Sequence, residues 1–357
     1  MRLKIEKREE VSELVLLEAS FLSILLALGI ASLIMPLFGV NPLKAYHEIF
    51  VKTLTSKYGV EHTVLKAIPL LLCSLGLIVC FRASIWNIGA EGQLLLGAVA
   101  ATGIALYAMP NAPGWILVPV MFIAGAIAGA FWALIPGLLK VKMNVNEIIT
   151  TLMLNYVAAK IVEYLVYGPW KSPQEWGFPL TDMIPDQARL TPIPGTPIHA
   201  PTLFLALSLV ALMHFMLTKT SIGFELKVYG FSEKVALYAT VSRARIVLVA
   251  IAISGALAGL AGVGEIAGVH YRLRLPASIS GGYGYTAIIV AWLARLNPVA
   301  CILFSILLAI LAVGGDAIQI SLKLPGGTIN LFNGLILFTL VILDFFIKYR
   351  VKVVKNA

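Results

Sequence analysis

The chain has 357 residues, 59% of them hydrophobic and only 13% charged, with a net charge of +9. Soluble domains carry about 25% charged residues, so this composition excludes an ordinary water-soluble protein and points to a polytopic membrane protein. The positive balance does not mark a nucleic-acid binder, because the basic residues are spread through the segments between apolar runs and form no single patch.

In chain order, residues 1–13 form a polar N-terminal segment. The acidic residues Glu6, Glu9, Glu10 and Glu13 precede the first apolar run, a pattern unlike a cleavable signal peptide. Runs able to cross ~30 Å of hydrocarbon at 1.5 Å per residue then follow. They lie at 19–38, 62–81, 94–112, 114–139, 148–167, 200–217, 246–264, 275–294, 296–315 and 324–343. Within 275–294 the break Ser280-Gly281-Gly282-Tyr283-Gly284 suits a half-helix behind a re-entrant loop. The expected fold is therefore all-α: a polytopic transmembrane helical bundle of about ten spans, with re-entrant or broken helices, in one membrane domain over 1–357.

Alternation of ten spans places 17 of the 27 Lys and Arg on one side, those at both ends included. That asymmetry places both termini in the cytoplasm. The longest polar interruption, 168–199, then lies outside. It is rich in Pro, and its Trp170 and Trp176 suit the outer headgroup belt. A second external segment, 39–61, carries Leu43, Tyr46, Ile49, Phe50 and Leu54 at helical spacing and reads as an amphipathic surface element. Cys73, Cys80 and Cys301 fall inside apolar runs, with neither metal-ligand nor disulfide spacing. The pairs Gly125/Gly129, Gly255/Gly259 and Gly264/Gly268 read as helix-packing faces.

The largest cytoplasmic segment is 218–245. In it Ser232 is placed to cap a short helix, with Glu233 in the first turn, running on to about Val241. It reads equally as a solvated loop or as a docking element for a cytosolic partner.

No phosphate-binding loop, zinc-protease helix or serine-nucleophile elbow occurs, and no metal site is expected. Polar groups inside the spans become the site candidates, because burying them in hydrocarbon is costly without partners or water. Asn87, Glu91 and Gln93 form one group. Asn144, Asn146 and Glu147, followed at helical spacing by Thr150, Thr151 and Asn155 with Tyr156, form another. Lys160 and Glu163 are spaced to pair, and Glu265 and Asp316 are expected in solvent at outer ends of spans. Amides and hydroxyls with Trp86, Tyr156 and Tyr283 nearby suit neutral solutes such as sugars and nucleosides. Asn87, Glu91, Gln93, Asn146, Asn155 and Tyr156 are the candidate substrate path.

Residues 87–98 (Asn-Ile-Gly-Ala-Glu-Gly-Gln-Leu-Leu-Leu-Gly-Ala) resemble a signature of permease subunits of ABC importers for simple sugars and nucleosides. Residues 146–156 (Asn-Glu-Ile-Ile-Thr-Thr-Leu-Met-Leu-Asn-Tyr) resemble the nucleoside branch. Residues 230–239 and 254–262 are similar to the family's coupling segment and following span, and the likeness extends over about 39–343. It departs at Ser84-Ile85-Trp86, at Val235-Ala236 and at 287–294, which includes Trp292. The resemblance implies a permease for nucleosides, or for simple sugars such as ribose-like pentoses, in the cell (plasma or inner) membrane. It implies pairing with a second copy or a sister permease, docking of two ABC ATPase subunits, and supply from an external substrate-binding lipoprotein. The chain would bind no cofactor and catalyse no covalent step, ATP and Mg being used by the partner ATPase. Gly230, Ser232, Lys234, Ala236, Tyr238 and Ala239 would be the docking and coupling residues. Two other readings stand beside it. One is an ion-gradient-driven secondary transporter of small neutral polar solutes, which also has broken helices. The other is an intramembrane enzyme, disfavoured by the lack of a catalytic set.

Overall fold

The computed structural model describes residues 2–7, 13–175, 177–322 and 349–354, and single positions between 327 and 343. Strand β1 (Arg2–Lys7) precedes helix α1 (Glu13–Ile34), which closes in a 3-10 turn over Met35–Phe38. Asn41 caps α2 (Pro42–Tyr46), and a wide π-helical turn over His47–Lys52 leads to α3 (Thr53–Thr55). Ser56 caps α4 (Lys57–Arg82). Helix α5 (Ala90–Gly103) continues as a π turn to Ala108, followed by α6 (Gly114–Met143) and by α7 (Glu147–Tyr167), capped by Asn146. Next come α8 (Ala200–Lys219), α9 (Ser221–Phe231), α10 (Glu233–Tyr238) and α11 (Arg243–Gly264), the last extended as a π turn over Glu265–His270. Helices α12 (Pro276–Ser280), α13 (Tyr283–Leu293) and α14 (Pro298–Leu322) and strand β2 (Tyr349–Val354) complete the order.

Among the described residues, seven helices are long and apolar enough to cross a bilayer: α4, α5 with its π turn, α6, α7, α8, α11 with its π turn, and α14 to Gln319. The protein is an all-α, multi-pass membrane protein. Of the remaining expected runs, 19–38 falls in a shorter apolar helix, Phe21–Leu37. Run 275–294 is broken between α12 and α13 at Gly281 and Gly282, both with positive φ (51° and 80°) that glycine adopts without strain. Run 324–343 lies largely outside the described residues, as does Trp176.

Helix α4 is buried along most of its length, with α11, α13 and α14 around it. Helix α11 packs in turn against α4, α5 and α6, and small residues set that distance. A Cβ on Gly129 of α6 would stand 2.9 Å from the Cα of Gly259 in α11, and one on Gly97 of α5 only 2.5 Å from the same atom. Three backbones thus meet with no side chain between them, where dispersion rather than a hydrophobic drive holds helices together. The pair Gly264/Gly268 faces a different helix: Gly264 stands against Thr202 in the first turn of α8 and Gly268 against the ring of His199, which precedes it.

The segment 168–199 has little regular structure but is docked through its backbone. Ile184 N–H donates to Tyr271 C=O (2.8 Å) and Leu190 N–H to Ala267 C=O (2.9 Å), roofing the end of α11. In segment 39–61 Ala45 and Ile49 are buried, whereas Leu43 and Leu54, expected on one apolar stripe with Ile49, are exposed. Ile49 packs on the backbone of Gly314 in α14. Strands β1 and β2 pair antiparallel, Arg2 opposite Val354 and Lys7 opposite Tyr349, which sets the two ends of the chain side by side.

Candidate functional site

Helix α4 ends where the Arg82 guanidinium donates to the carbonyls of Leu296 (3.1 and 3.2 Å) and Leu217 (3.3 Å), binding together the ends of α4, α8 and α13. The chain turns at Ser84, a non-glycine residue at φ +54°, and residues 85–88 run as irregular backbone back into the bundle. There Asn87 accepts from the Gly89 N–H (2.9 Å) and donates to Ser254 Oγ (2.9 Å). Asn87 and Gln93 exchange amide hydrogen bonds at 3.0 and 3.1 Å. Helix α7 closes the other side. Asn155 Oδ1 accepts from Gly92 N–H (2.9 Å), while its Nδ2 donates to Ile88 C=O (2.9 Å) and Tyr285 Oη (3.2 Å). Thr151 Oγ1 accepts from Ile88 N–H (3.2 Å). Glu91 Oε2 accepts from Gly284 N–H (2.8 Å), the first turn of α13, with the Ser280 hydroxyl and Gly282 amide also hydrogen-bonded to the carboxyl.

This knot lies deep in the bundle. Asn155 is about 12 Å along α7 from Glu147 at 1.5 Å per residue, and Ser254 about 16 Å along α11 from Arg243. Helix α5 therefore starts near mid-depth rather than at the surface. Four of the six candidate path residues, Asn87, Glu91, Gln93 and Asn155, meet here, buried and mutually satisfied as low-dielectric surroundings require. Asn146 stands apart as the exposed cap of α7, accepting from Ile148 N–H (2.9 Å). Tyr156 makes none of these hydrogen bonds and is 61% exposed. Asn144 does not share a face with Asn155, because it terminates α6 in the left-handed region (φ +53°) and accepts from Arg243 (2.6 Å). Sequence reading missed Ser254, Ser280 and Tyr285. Ser254 had a signal, being the one polar residue in the run 246–264.

Two departures from the family pattern touch each other. Trp86 stacks on Trp292 at 5.5 Å between centroids, and Phe81 packs on both at 5.4 and 5.7 Å. The triad lies beside the knot on the side of Arg82.

The segment 218–245 holds two helices rather than one. Ser232 caps α10, accepting from Val235 N–H (3.4 Å). Helix α10 ends at Tyr238, short of the expected Val241, because Thr240 adopts φ +58°. Ala236 is buried, whereas Lys234 and Ala239 are exposed, with Tyr238 (91%) and Phe231 (86%) fully presented. Gly230 lies directly on the Arg82–Ala83 backbone, with room for no side chain, and its carbonyl accepts from Ser84 Oγ (2.9 Å). Helices α9 and α10 thus touch the segment that carries Trp86 and Asn87. Glu265 is not solvated as expected. It is 4% exposed, 3.5 Å from His270 under the docked segment 168–199. Asp316 is partly exposed and pairs with Lys66, and Lys160 pairs with Glu163 (2.6 Å) as its spacing required.

A multi-pass bundle with a helix broken at mid-depth, a polar knot behind the break and an exposed helix pair tied to it defines a solute permease. The chain belongs to the family described as branched-chain amino acid transport system / permease component, which matches residues 59–343. It is 36% identical to a glucose ABC transporter permease protein of Haloferax volcanii, over 98% of this chain and 94% of that one. It is 29% identical to a guanosine ABC transporter permease protein of Bacillus subtilis (88% and 90% covered). It is 28% identical to a nucleoside ABC transporter permease protein of Lactococcus lactis (80% and 80%).

Proposed function

We propose that this chain is the transmembrane permease subunit of an ATP-driven ABC importer, forming the path for a nucleoside or a simple sugar delivered by an external binding protein. It is a transport subunit and not an enzyme, as membership of a permease family implies. ATP and Mg belong to a partner ATPase. Relatives named as ABC permeases for glucose and for nucleosides support this reading over an ion-gradient-driven transporter.

The observation that carries the mechanism is the contact of Gly230 with Arg82 and Ser84. The exposed face of α9 and α10, with Phe231, Lys234, Tyr238 and Ala239 around the Ser232 cap and buried Ala236, is where an ATPase docks. Closure of that partner pushes α9 against the end of α4. The push moves residues 83–89, and with them Trp86 in the aromatic triad and Asn87 in the knot. A mid-membrane segment braced by discrete hydrogen bonds has two arrangements rather than a continuum, which is what a gate needs. Asn146 and Tyr156 then face the path or a second permease. The paired termini lie on the cytoplasmic side, in line with the basic residues there.

Reconstitution tests this. The complex in proteoliposomes takes up radiolabelled solute only with ATP, and Ala236→Asp abolishes uptake while the permease still inserts. Wild-type uptake by the Ala236→Asp variant refutes the docking assignment.

A further inference from the structure

Helices α9 and α10 reach the knot by a second route, on the side that α7 closes. Its centre is Arg243, the first residue of α11. The guanidinium donates through Nη2 to Asn144 Oδ1 (2.6 Å), and its Nε stands 3.3 Å from Glu233 Oε1. The Tyr229 hydroxyl is hydrogen-bonded to the same guanidinium. These partners belong to three elements: the turn between α6 and α7, α10, and α9. Arginine suits such a junction. Its planar fork carries five donors in fixed directions, whereas lysine offers a point charge on a flexible stem.

Asn144 in turn is tied to α7. Only Val145 and Asn146 separate it from Glu147, and both ends of that turn are set: Asn144 ends α6 in the left-handed region and Asn146 caps α7. Lys140, in the last turn of α6, pairs with Glu147 at 2.6 Å, with both side chains largely buried (18% and 10% exposed). Further along the same helix Thr151 and Asn155 hold Ile88 and Gly92. A displacement of the turn 144–146 therefore reaches the knot through about two turns of unbroken helix. The Arg243–Glu233 pair is too exposed (33% and 47%) to add much to stability. What the guanidinium supplies is a set distance between α10 and a turn 99 residues away from it in the chain.

We infer that Arg243 is a positioning residue of the transport cycle: it ties α9 and α10 to the entry of α7, so that the partner ATPase moves both walls of the knot together. The inference rests on the permease reading above and adds a residue to it. The Gly230 contact carries movement to residues 83–89, and Arg243 carries it to Thr151 and Asn155. Geometry requires the second route. Asn155 holds Gly92 N–H and Ile88 C=O at 2.9 Å each, and such bonds reach the edge of useful geometry near 3.5 Å. Residues 83–89 can thus shift only about 0.6 Å against a stationary α7 before buried partners are lost, at the full desolvation cost of each. With α7 carried along, those bonds persist and the segment slides instead against Ser254 of α11.

The test uses the complete complex in proteoliposomes, with radiolabelled D-glucose, D-ribose and guanosine as probes, and reads solute taken up per ATP hydrolysed. Asn144→Gly removes the amide that Arg243 grips and suits the left-handed backbone at that position (φ +53°), so insertion and assembly should be kept. ATP hydrolysis should persist while solute per ATP falls about fivefold or more. A second arm reverses the charges. Glu233→Arg and Arg243→Glu should each show the same loss, and the double variant should recover most of the coupling. Rescue is expected because the Asn144 amide and the Tyr229 hydroxyl can donate to a carboxylate as well as accept from a guanidinium. A contact of Glu233 with the ATPase alone gives no such rescue. If either single reversal fails to assemble, Asn144→Gly decides alone. Wild-type solute per ATP in Asn144→Gly, loss of ATP hydrolysis in step with uptake, or an assembled double variant without rescue overturns the Arg243 route and leaves the permease standing. No ATP-dependent uptake of any probe by the wild-type complex overturns the permease reading for these solutes and the route with it.

Discussion

Gly230→Ala is the sharpest perturbation of the coupling route. The added Cβ would lie 2.9 Å from the carbonyl carbon of Arg82 and closer still to its oxygen, with Ala83 Cα at 3.2 Å. The oxygen, at 2.0 Å, sets the demand: against an ordinary C···O contact of about 3.3 Å, α9 must retreat from α4 by about 1.3 Å. The Ser84–Gly230 hydrogen bond, now 2.9 Å, then stretches to about 4 Å and is lost. Overpacking costs roughly 1–3 kcal/mol and the lost bond about 0.5–1.5 kcal/mol, too little to unfold a multi-pass bundle and enough to break one contact. The expected phenotype is uncoupling: the reconstituted complex hydrolyses ATP but loses most solute uptake, with normal insertion and assembly. ATP-dependent uptake at the wild-type rate in Gly230→Ala would refute the route through Arg82 and Ser84.

Other outcomes follow from the same geometry. Asn155→Ala strips Gly92 N–H and Ile88 C=O of their buried partners; a loss of about 2–5 kcal/mol is expected and reads as a lower unfolding temperature in detergent. An unchanged temperature would show that water replaces the amide. Gly259→Leu forces α11 away from α5 and α6 and should prevent stable assembly, visible as aggregation on size exclusion. A double-mutant cycle between Trp86 and Trp292 should give a coupling of about 0.5–1.5 kcal/mol in stability. His199, just before α8, is buried with no partner on Nε2, and burial lowers its pKa from 6.5 to about 4. A depressed imidazole resists protonation when folded, so stability is full above pH 6.5 and falls as pH drops towards 4, by up to about 3 kcal/mol. Melting temperature against pH checks this, and His199→Phe should flatten that limb.

Much of the fold was legible because a bilayer leaves few choices: a long apolar run that satisfies its own backbone is a helix. The glycine faces of α6 and α11 were legible for a similar reason, since small residues four apart on one face let two backbones approach closely. Depth was not. Run 94–112 gave no sign that α5 begins beside Asn155, because hydrogen bonds such as Gly92 to Asn155 and Gly284 to Glu91 join residues 63 and 193 apart. Glu265 looked solvated by its place near the end of a run. The π turn carried it onward and the docked segment 168–199 covered it. Asn144 looked like part of α7 by spacing, but its left-handed conformation ends α6 instead. Helix α9 was hidden in a polar segment whose one visible cap, Ser232, belongs to α10. The pairing of β1 with β2 joins segments that no local pattern connects.

The account turns on a path gated by a partner's ATP, and uptake energetics test that most directly. Proteoliposomes containing this permease, its ATPase and its binding protein should accumulate solute with ATP, should ignore an ionophore, and should do nothing when the ATPase is omitted. Accumulation by the permease alone, collapsed by the ionophore, would contradict it.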